Sequence, residues 1–234
     1  MREGHQVVVT SSEAAVAYGH PASKVYFNED DWTNTEIAKQ DYMKSKTLAE
    51  QLAWDMARDK RLNQPEAALA TVCPGQILGL SLIPWVRYSS GSLKDMAEGK
   101  TPFVFDLLSH YVDVRDCAQM HIAVMSNPGT DSNRHLSFGT KGRLTEVPGI
   151  IREEYSHLGF KPSPRTIPKF VLWGLRFVNG DVDTIYSRIG TTQIYQTKYP
   201  EVYQYQYTDL RQMVKNTLDS LLANKMLMPK SKSI

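Results

Sequence analysis

The chain has 234 residues, a formal net charge of +2 and 41% apolar residues. That length fits one domain, or one domain with a small lobe, and the apolar fraction supports a real core and argues against disorder. Both signs of charge are spread along the chain with no long basic or acidic block, so nucleic acid is not implied as a partner.

The two cysteines, Cys73 and Cys117, make neither a disulfide framework nor a zinc-site pattern, so a reducing, cytoplasmic setting is expected. Met1 to His5 lacks the apolar core of a signal peptide, and Ser231 to Ile234 differs from the Ser-Lys-Leu peroxisomal address. The longest apolar stretch, Phe170 to Val178, is too short to span a bilayer and Arg176 interrupts it; it reads as a packing helix.

In chain order, Gln6 to Thr10 comes first. Its Val7-Val8-Val9 run predicts a strand buried on both faces, as in a parallel sheet. A polar, turn-rich loop follows from Glu13 to Gln40. A long helix is predicted from Tyr42 to Arg58, with Leu48, Leu52 and Met56 at spacing four, beside Ala49 and Ala53, as its apolar stripe. Asn63-Gln64-Pro65 breaks that pattern. Ala67 to Cys73 is a second apolar run, ending at Pro74-Gly75. Strand, helix and strand in this order form the βαβ alternation of a parallel sheet. His110 to Val114 predicts a third strand, followed by a helix to Met125 with Asp116 as its N-cap and Asn127-Pro128-Gly129 as its end. His135 to Phe138 predicts a further strand. No internal repeat or low-complexity tract occurs.

Three short pieces carry chemistry: Thr10-Ser11-Ser12 after the first strand, Tyr42 to Lys46 opening the long helix, and Pro74-Gly75 after the second strand. Ligands of open parallel sheets sit at the C-terminal strand ends. Tyr42 and Lys46, four apart, share a helix face. A carbonyl that receives hydride must also receive a proton. A free tyrosine, with a pKa of about 10, gives one up reluctantly near neutrality, and a neighbouring ammonium favours its phenolate. Ser12 could hold the substrate oxygen, and the lysine could also bind a ribose. A Tyr-x-x-x-Lys spacing alone is weak, because roughly one such pair arises by chance in this composition. The full order of strand, Ser-Ser, loop of about 30 residues, Tyr-x-x-x-Lys helix, strand and Pro-Gly is far rarer.

The stretches VVVTSSEAAVAYGH, EDDWTN, YMKSKTLAEQLAWDMA, VCPGQILG and YVDVRDCAQMHIAVM resemble successive landmarks of the extended short-chain dehydrogenases/reductases. The likeness is greatest to the branch of dihydroflavonol reductase, cinnamoyl-CoA reductase and microbial aldehyde/ketone reductases. It is strong from Gln6 to Met125 and weaker to Leu227, where RTIPKFVLWGL and the closing helix are similar to the family's substrate-side lobe. The resemblance implies an α/β fold, a partial Rossmann-like parallel sheet with a small C-terminal substrate lobe. Residues 1–145 would be the C-terminal half of a nucleotide-binding domain, interleaved with a lobe at 146–234. It implies reversible carbonyl/alcohol oxidoreduction on a small organic substrate. Ser12 would be the catalytic serine, Tyr42 the proton donor and Lys46 its partner. Thr10 and Ser11 would lie near the cofactor, Tyr42 and Lys46 against it, and Pro74, Gly75, Gln76 and Ile77 along its nicotinamide. NADP is the expected cofactor, with NAD the alternative, and a homodimer is an expected assembly. Cys73 stands where relatives often carry Asn.

The family also opens with a strand and a G-x-x-G-x-x-G turn whose helix N-terminus holds a pyrophosphate. No such motif occurs in this sequence. By the resemblance the chain begins near the fifth strand, on the order of 110 residues into a doubly wound fold, which would leave Val7-Val8-Val9 as an apolar edge. A truncated gene product, a non-catalytic remnant acting as a binding protein, and a chain completed by another polypeptide are the three explanations. A hydroxysteroid dehydrogenase or nucleotide-sugar epimerase of the same group is the enzymatic alternative.

The remaining candidates read as structural. His20, His110 and His121 lack a metal-site pattern. Asp113, Arg115 and Asp116 suit a helix cap and ion-pair knot. Tyr195, Tyr199, Tyr203, Tyr205 and Tyr207 suit the packing of a lobe. Glu29-Asp30-Asp31 reads as a solvated loop anchored by Trp32.

Overall fold

A computed structural model describes residues 6–59, 68–83, 85, 88–202, 204 and 206–230. Met1 to His5, Asn63-Gln64-Pro65, Ala67, Tyr203, Tyr205 and Ser231 to Ile234 lie outside the described residues.

β1 (Gln6–Thr10) forms where the β-branched valines favour extended backbone. The short β2 (Tyr26–Phe27) interrupts the loop that follows. α1 (Asp41–Arg58) comes next, with an acidic residue in its first turn and a basic one in its last, both favourable to the helix dipole. β3 (Ala68–Pro74) pairs in parallel with β1 on one side and with β6 (Arg134–Ser137) on the other. As the central strand it is buried almost throughout, the expected fate of a continuous apolar run.

β3 alternates between two helices, as strand pleating requires. Thr71 and Cys73 point to Glu50 on α1. Ala70 and Val72 pack against Met120 and Val124 of α3 (Val114–Ser126). The sheet is therefore sandwiched between α1 and α3. β1 pairs with β3 alone among the described residues, and Val7 is 45% exposed. Burial on both faces, expected for β1, is thus corrected: an edge strand lacks the neighbour that would cover it.

A second parallel pair joins β4 (Gln76–Leu78) to β5 (Leu108–Asp113), and β7 (Thr140–Arg143) adds an antiparallel edge. Gly75 links β3 to β4. A Cβ there would stand 2.2 Å from the His110 carbonyl oxygen, so only glycine lets β5 pass this close. The largest core lies here. It gathers Leu93 and Met96 of α2 (Tyr88–Ala97), Ile151 of α4 (Val147–Tyr155), and Met213 and Leu218 of the closing helix. Between these, α5 (Lys169–Leu175), α6 (Gly180–Tyr186) and β8 (Ile194–Tyr195) build a side lobe, with β8 paired to β2. α7 (Leu210–Ala223) then closes the chain.

Four further expectations are corrected. The stripe Leu48, Leu52 and Met56 of α1 is 56%, 59% and 52% exposed, and the buried face is Met43, Thr47, Glu50 and Trp54. The cap of α3 is Asp113, whose carboxylate accepts from the Arg115 amide. Asp116 sits one turn later and accepts from the Thr208 amide. Of the Phe170 to Val178 stretch only Leu172 is buried, so this is not a packing helix in the expected sense. Glu29 is buried rather than solvated. Its carboxylate accepts from the Thr197 hydroxyl and the Lys198 amide, while Trp32 lies under the Arg134 guanidinium at 3.7 Å.

Candidate functional site

Parallel pairing brings the C-terminal ends of β1, β3 and β6 to one edge, with Thr10, Pro74 and Ser137 as their last residues. The Ser11 amide donates to Val72 O at 2.7 Å, and the Gly75 amide to Ser137 O at 3.2 Å. Beyond β1 the chain enters a single tight turn, Glu13–Ala15, capped by Ser12, whose Oγ accepts from the Ala14 amide at 3.1 Å. That contact uses an oxygen lone pair and fixes the rotamer. The hydroxyl hydrogen is left to donate elsewhere.

The first turn of α1 rests on this serine turn. Met43 packs with Ala14, Ala38 and Tyr18. Tyr42, beside Met43, is 49% exposed, and Lys46 follows one turn later, half-buried. The Tyr42 ring stands 6.5 Å from the ring of Tyr88, the first residue of α2.

The other site candidates fall into two sets. Gly75 and Ile77 are half-buried and Gln76 is exposed, in the strip that runs from β3 into β4. Pro74 is buried at the strand end. Thr10 Oγ1 shares a 2.8 Å hydrogen bond with His121 Nε2 on α3. Ser11 turns inward, its hydroxyl donating to Glu50 Oε2 at 2.6 Å.

That Glu50 contact opens a part of the site that lies outside the three sequence motifs. Glu50 Oε1 accepts from Thr71 at 2.6 Å and from Arg134 Nε at 2.8 Å, and Oε2 accepts from Arg134 Nη2 at 3.1 Å. Arg134 reaches on to the carbonyls of Ala15, Glu29 and Asp31. Burial pushes the Glu50 carboxyl up. The hydrogen bonds and charge of Arg134 more than reverse this and hold it below its ordinary value. Burial, aided by the Glu50 charge, pushes the neighbouring Cys73 thiol up to about 12, which makes it inert.

A second buried pair lies on the other side of Ser12. Glu13 Oε1 accepts from Arg188 Nη2 at 2.7 Å and from the Tyr195 hydroxyl at 2.6 Å. Here too burial would raise the carboxyl, and the Arg188 charge leads the effects that lower it. The Arg188 guanidinium stacks 4.4 Å above the Tyr18 ring, and its Nε and Nη1 find no partner among the described residues. The Tyr195 ring packs edge-on against Phe138 and His110. Tyr195 on β8, Arg188 just beyond α6 and Glu13 in the serine turn thus join the side lobe to the sheet edge.

One signal could have found Glu50. Met43, Thr47, Glu50 and Trp54 recur at helical spacing, and they mark a buried face that includes a carboxylate. Glu13, Arg134 and Arg188 meet only through long-range folding, and no local pattern marks them.

No protein-family model matches the chain. Among curated proteins it is 30% identical over 158 residues to cinnamoyl-CoA reductase CAD2 of Medicago truncatula, covering 65% of this chain and 46% of that protein. It is 27% identical over 192 residues to anthocyanidin reductase of Arabidopsis thaliana, covering 74% and 55%. The chain therefore spans about half the length of the curated relatives it matches. Among solved structures it superposes on the yeast methylglyoxal/isovaleraldehyde reductase Gre2 complexed with NADPH. The TM-score is 0.69 at 20% identity, over 95% of this chain and 65% of that one.

Proposed function

We propose that this chain, which belongs to the extended short-chain dehydrogenase/reductase group, carries the proton-delivering half of an NADPH-dependent carbonyl reductase. The observation that supports this is the packing of Met43 on Ala14. It holds the first turn of α1, with Tyr42 and Lys46, against the turn capped by Ser12. In this reading the Ser12 hydroxyl, its lone pair already engaged by the Ala14 amide, donates to the substrate carbonyl oxygen. Tyr42 delivers the proton to that oxygen. Lys46 places an ammonium one turn further along the helix, where it stabilises the charge left on the tyrosine oxygen and can hold ribose hydroxyls. NADPH, when bound, supplies the hydride.

The residues present suit the reacting end of that cofactor. Tyr42 is half exposed beside the serine turn, and the strip from Gly75 to Ile77, half-buried at its ends and exposed at Gln76, is accessible to a flat ring. Thr10 and Pro74 frame the strip at the strand ends. Ser11 serves it from behind, through Glu50. For the pyrophosphate the sequence has no G-x-x-G-x-x-G turn, so that end of the cofactor needs residues other than these. The division at residue 145 separates roles rather than packing, since the main core draws on both sides of it. Two buried free thiols suit a reducing, cytoplasmic setting. No helix of the described residues is long and apolar enough to cross a membrane. A homodimer would use the outward stripe of α1.

Titrating NADPH into the purified chain, followed by cofactor fluorescence, tests the reading. Micromolar binding that is retained in Tyr42→Phe, with carbonyl reduction lost in that variant, is expected. No binding at millimolar cofactor would mean that this chain by itself is no reductase.

A further inference from the structure

α5 presents its faces in the reverse of the usual order. A surface helix ordinarily turns polar residues to solvent. Here Leu172 alone of α5 is buried, packed with Val182 and Ile189 in the core of the side lobe. Arg176, one turn later on that inward side, pairs with Asp183 of α6. The other residues from Phe170 to Val178 are apolar and open. Phe170, Trp173 and Phe177 recur at helical spacing and are 77%, 57% and 70% exposed, and Val178 in the turn that follows is 83% exposed. The Trp173 and Phe177 rings meet edge-on at 5.3 Å, so they make one surface, which Val171 and Leu175 widen.

The charges along this segment are of one sign. Gly159 to Asn179 contains Lys161, Arg165, Lys169 and Arg176 and no aspartate or glutamate. The acids that follow are Asp181 and Asp183, and Asp183 is shared between Lys39 Nζ at 2.7 Å and Arg176 Nε at 2.8 Å. Lys169 is exposed at the start of α5. Its Nζ donates to the Ile189 carbonyl at 2.7 Å and keeps further donors for a ligand. Side chains as open as Phe170, Phe177 and Val178 protrude; they do not line a groove. The core of a protein interface needs matching shape. A lipid surface yields to protruding rings and takes aromatic side chains at headgroup level. Flanking cations add attraction when the headgroups are anionic.

We propose that the side lobe docks on an anionic phospholipid surface through α5. Phe170, Trp173, Phe177 and Val178 enter the interface, and Arg165 and Lys169 meet the headgroups. With seven residues, α5 lies on the bilayer and does not cross it. The inference rests on the outward face of α5 and its flanking charges, and it needs neither cofactor nor catalysis.

Co-sedimentation of the purified chain with sucrose-loaded vesicles tests the proposal, one set of phosphatidylcholine alone and one of phosphatidylcholine mixed with phosphatidylserine. Binding to the mixed vesicles at millimolar lipid is expected. It should be at least about fivefold weaker on the neutral vesicles, and it should fall as salt rises from about 0.1 M to about 0.5 M. The triple variant Phe170→Ser, Trp173→Ser, Phe177→Ser should bind at least about tenfold more weakly, with its urea unfolding midpoint little changed. Should that variant unfold more easily, Phe170→Ser alone carries the same test, with a several-fold loss expected. Arg165→Glu should weaken binding to the mixed vesicles several-fold. Met125→Ser, which removes an exposed apolar side chain on α3, should bind as the native chain does. Equal binding to both vesicle types overturns the anionic surface. Binding that survives the triple variant, or no binding at millimolar lipid, overturns the site. Sedimentation velocity without lipid reads the rival occupant: a native dimer that the triple variant turns into a monomer would make α5 an interface between copies and overturn the lipid reading.

Discussion

Two buried carboxylate–guanidinium pairs flank the Ser11-Ser12 dipeptide, and they are built differently. Glu50 and Arg134 form a saturated pair. The carboxylate accepts from two side-chain hydroxyls as well as from the guanidinium, and Arg134 spends further donors on three backbone carbonyls. Glu13 and Arg188 form an unsaturated one, with two guanidinium nitrogens unpartnered among the described residues. The first pair is internal to the sheet and α1. The second crosses from the serine turn to the side lobe. A buried charge is stabilising only when its remaining hydrogen-bonding groups are met. The difference therefore makes the sheet-edge pair the better compensated of the two and the lobe junction the energetically weaker joint beside Ser12.

The largest expected effect comes from breaking the saturated pair. Glu50→Ala leaves Arg134 buried without its counter-ion and should cost about 3–5 kcal/mol, read from urea unfolding midpoints at neutral pH. A pH series sharpens this. The folded carboxyl is held below its ordinary value, so its contribution is complete above the unfolded carboxylate pKa of about 4.3 and is lost as pH falls through the depressed folded value. Glu13 titrates with the same sign. The native chain should therefore lose stability steeply below the ordinary carboxylate range, and Glu50→Gln should show a shallower acid slope. An unchanged slope would mean that another carboxylate governs acid unfolding.

The unsaturated pair should be cheaper to remove. Arg188→Met discards a guanidinium that was only partly met, and Glu13 keeps its Tyr195 hydrogen bond and can take up a proton. A loss of about 1–3 kcal/mol is expected, below that of Glu50→Ala. The double replacement Glu13→Gln with Arg188→Met should recover part of that loss, because no uncompensated charge then remains. If the double variant is as unstable as the sum of the singles, the pair is not coupled and the contrast between the two joints fails.

These two pairs also mark where the sequence stopped being readable. The strands at Gln6–Thr10 and Ala68–Pro74 and the helix between them follow from local runs of valine, alanine and leucine. The inward face of that helix does not. Leu48, Leu52 and Met56 are the more hydrophobic stripe and yet face out, because the inward stripe is held by Glu50 meeting Arg134, 84 residues away. A hydrophobicity pattern cannot weigh a contact at that separation. The cap of α3 is a milder case. Asp113 and Asp116 are equally good caps by residue type, and the choice falls to Asp113 because β5 runs straight into the helix. For the candidate site, Ser12, Tyr42 and Lys46 were legible as residues, whereas the two buried pairs that hold their neighbourhood were not.

Smaller effects separate burial from charge alone. Tyr195→Phe removes one hydroxyl that donates to Glu13 and leaves the ring packed against Phe138 and His110. A hydrogen bond to a charged group is worth about 1.5–3 kcal/mol at most sites. The Arg188 bond to Glu13 survives, so the low end is expected, together with a Glu13 carboxyl that protonates at higher pH. Nearby, Lys198 pairs with Asp30 at 2.8 Å in full view of solvent. Lys198→Ala should leave the unfolding midpoint where it was, because solvent already screens that pair. Its Nζ is replaceable by water, while its backbone amide, which donates to Glu29, is untouched by the substitution. If Lys198→Ala destabilises as much as Tyr195→Phe, then charge on this side of the lobe matters irrespective of burial. The weaker compensation of the lobe junction would then have to be sought in the loop around Glu29 rather than in the unmet nitrogens of Arg188.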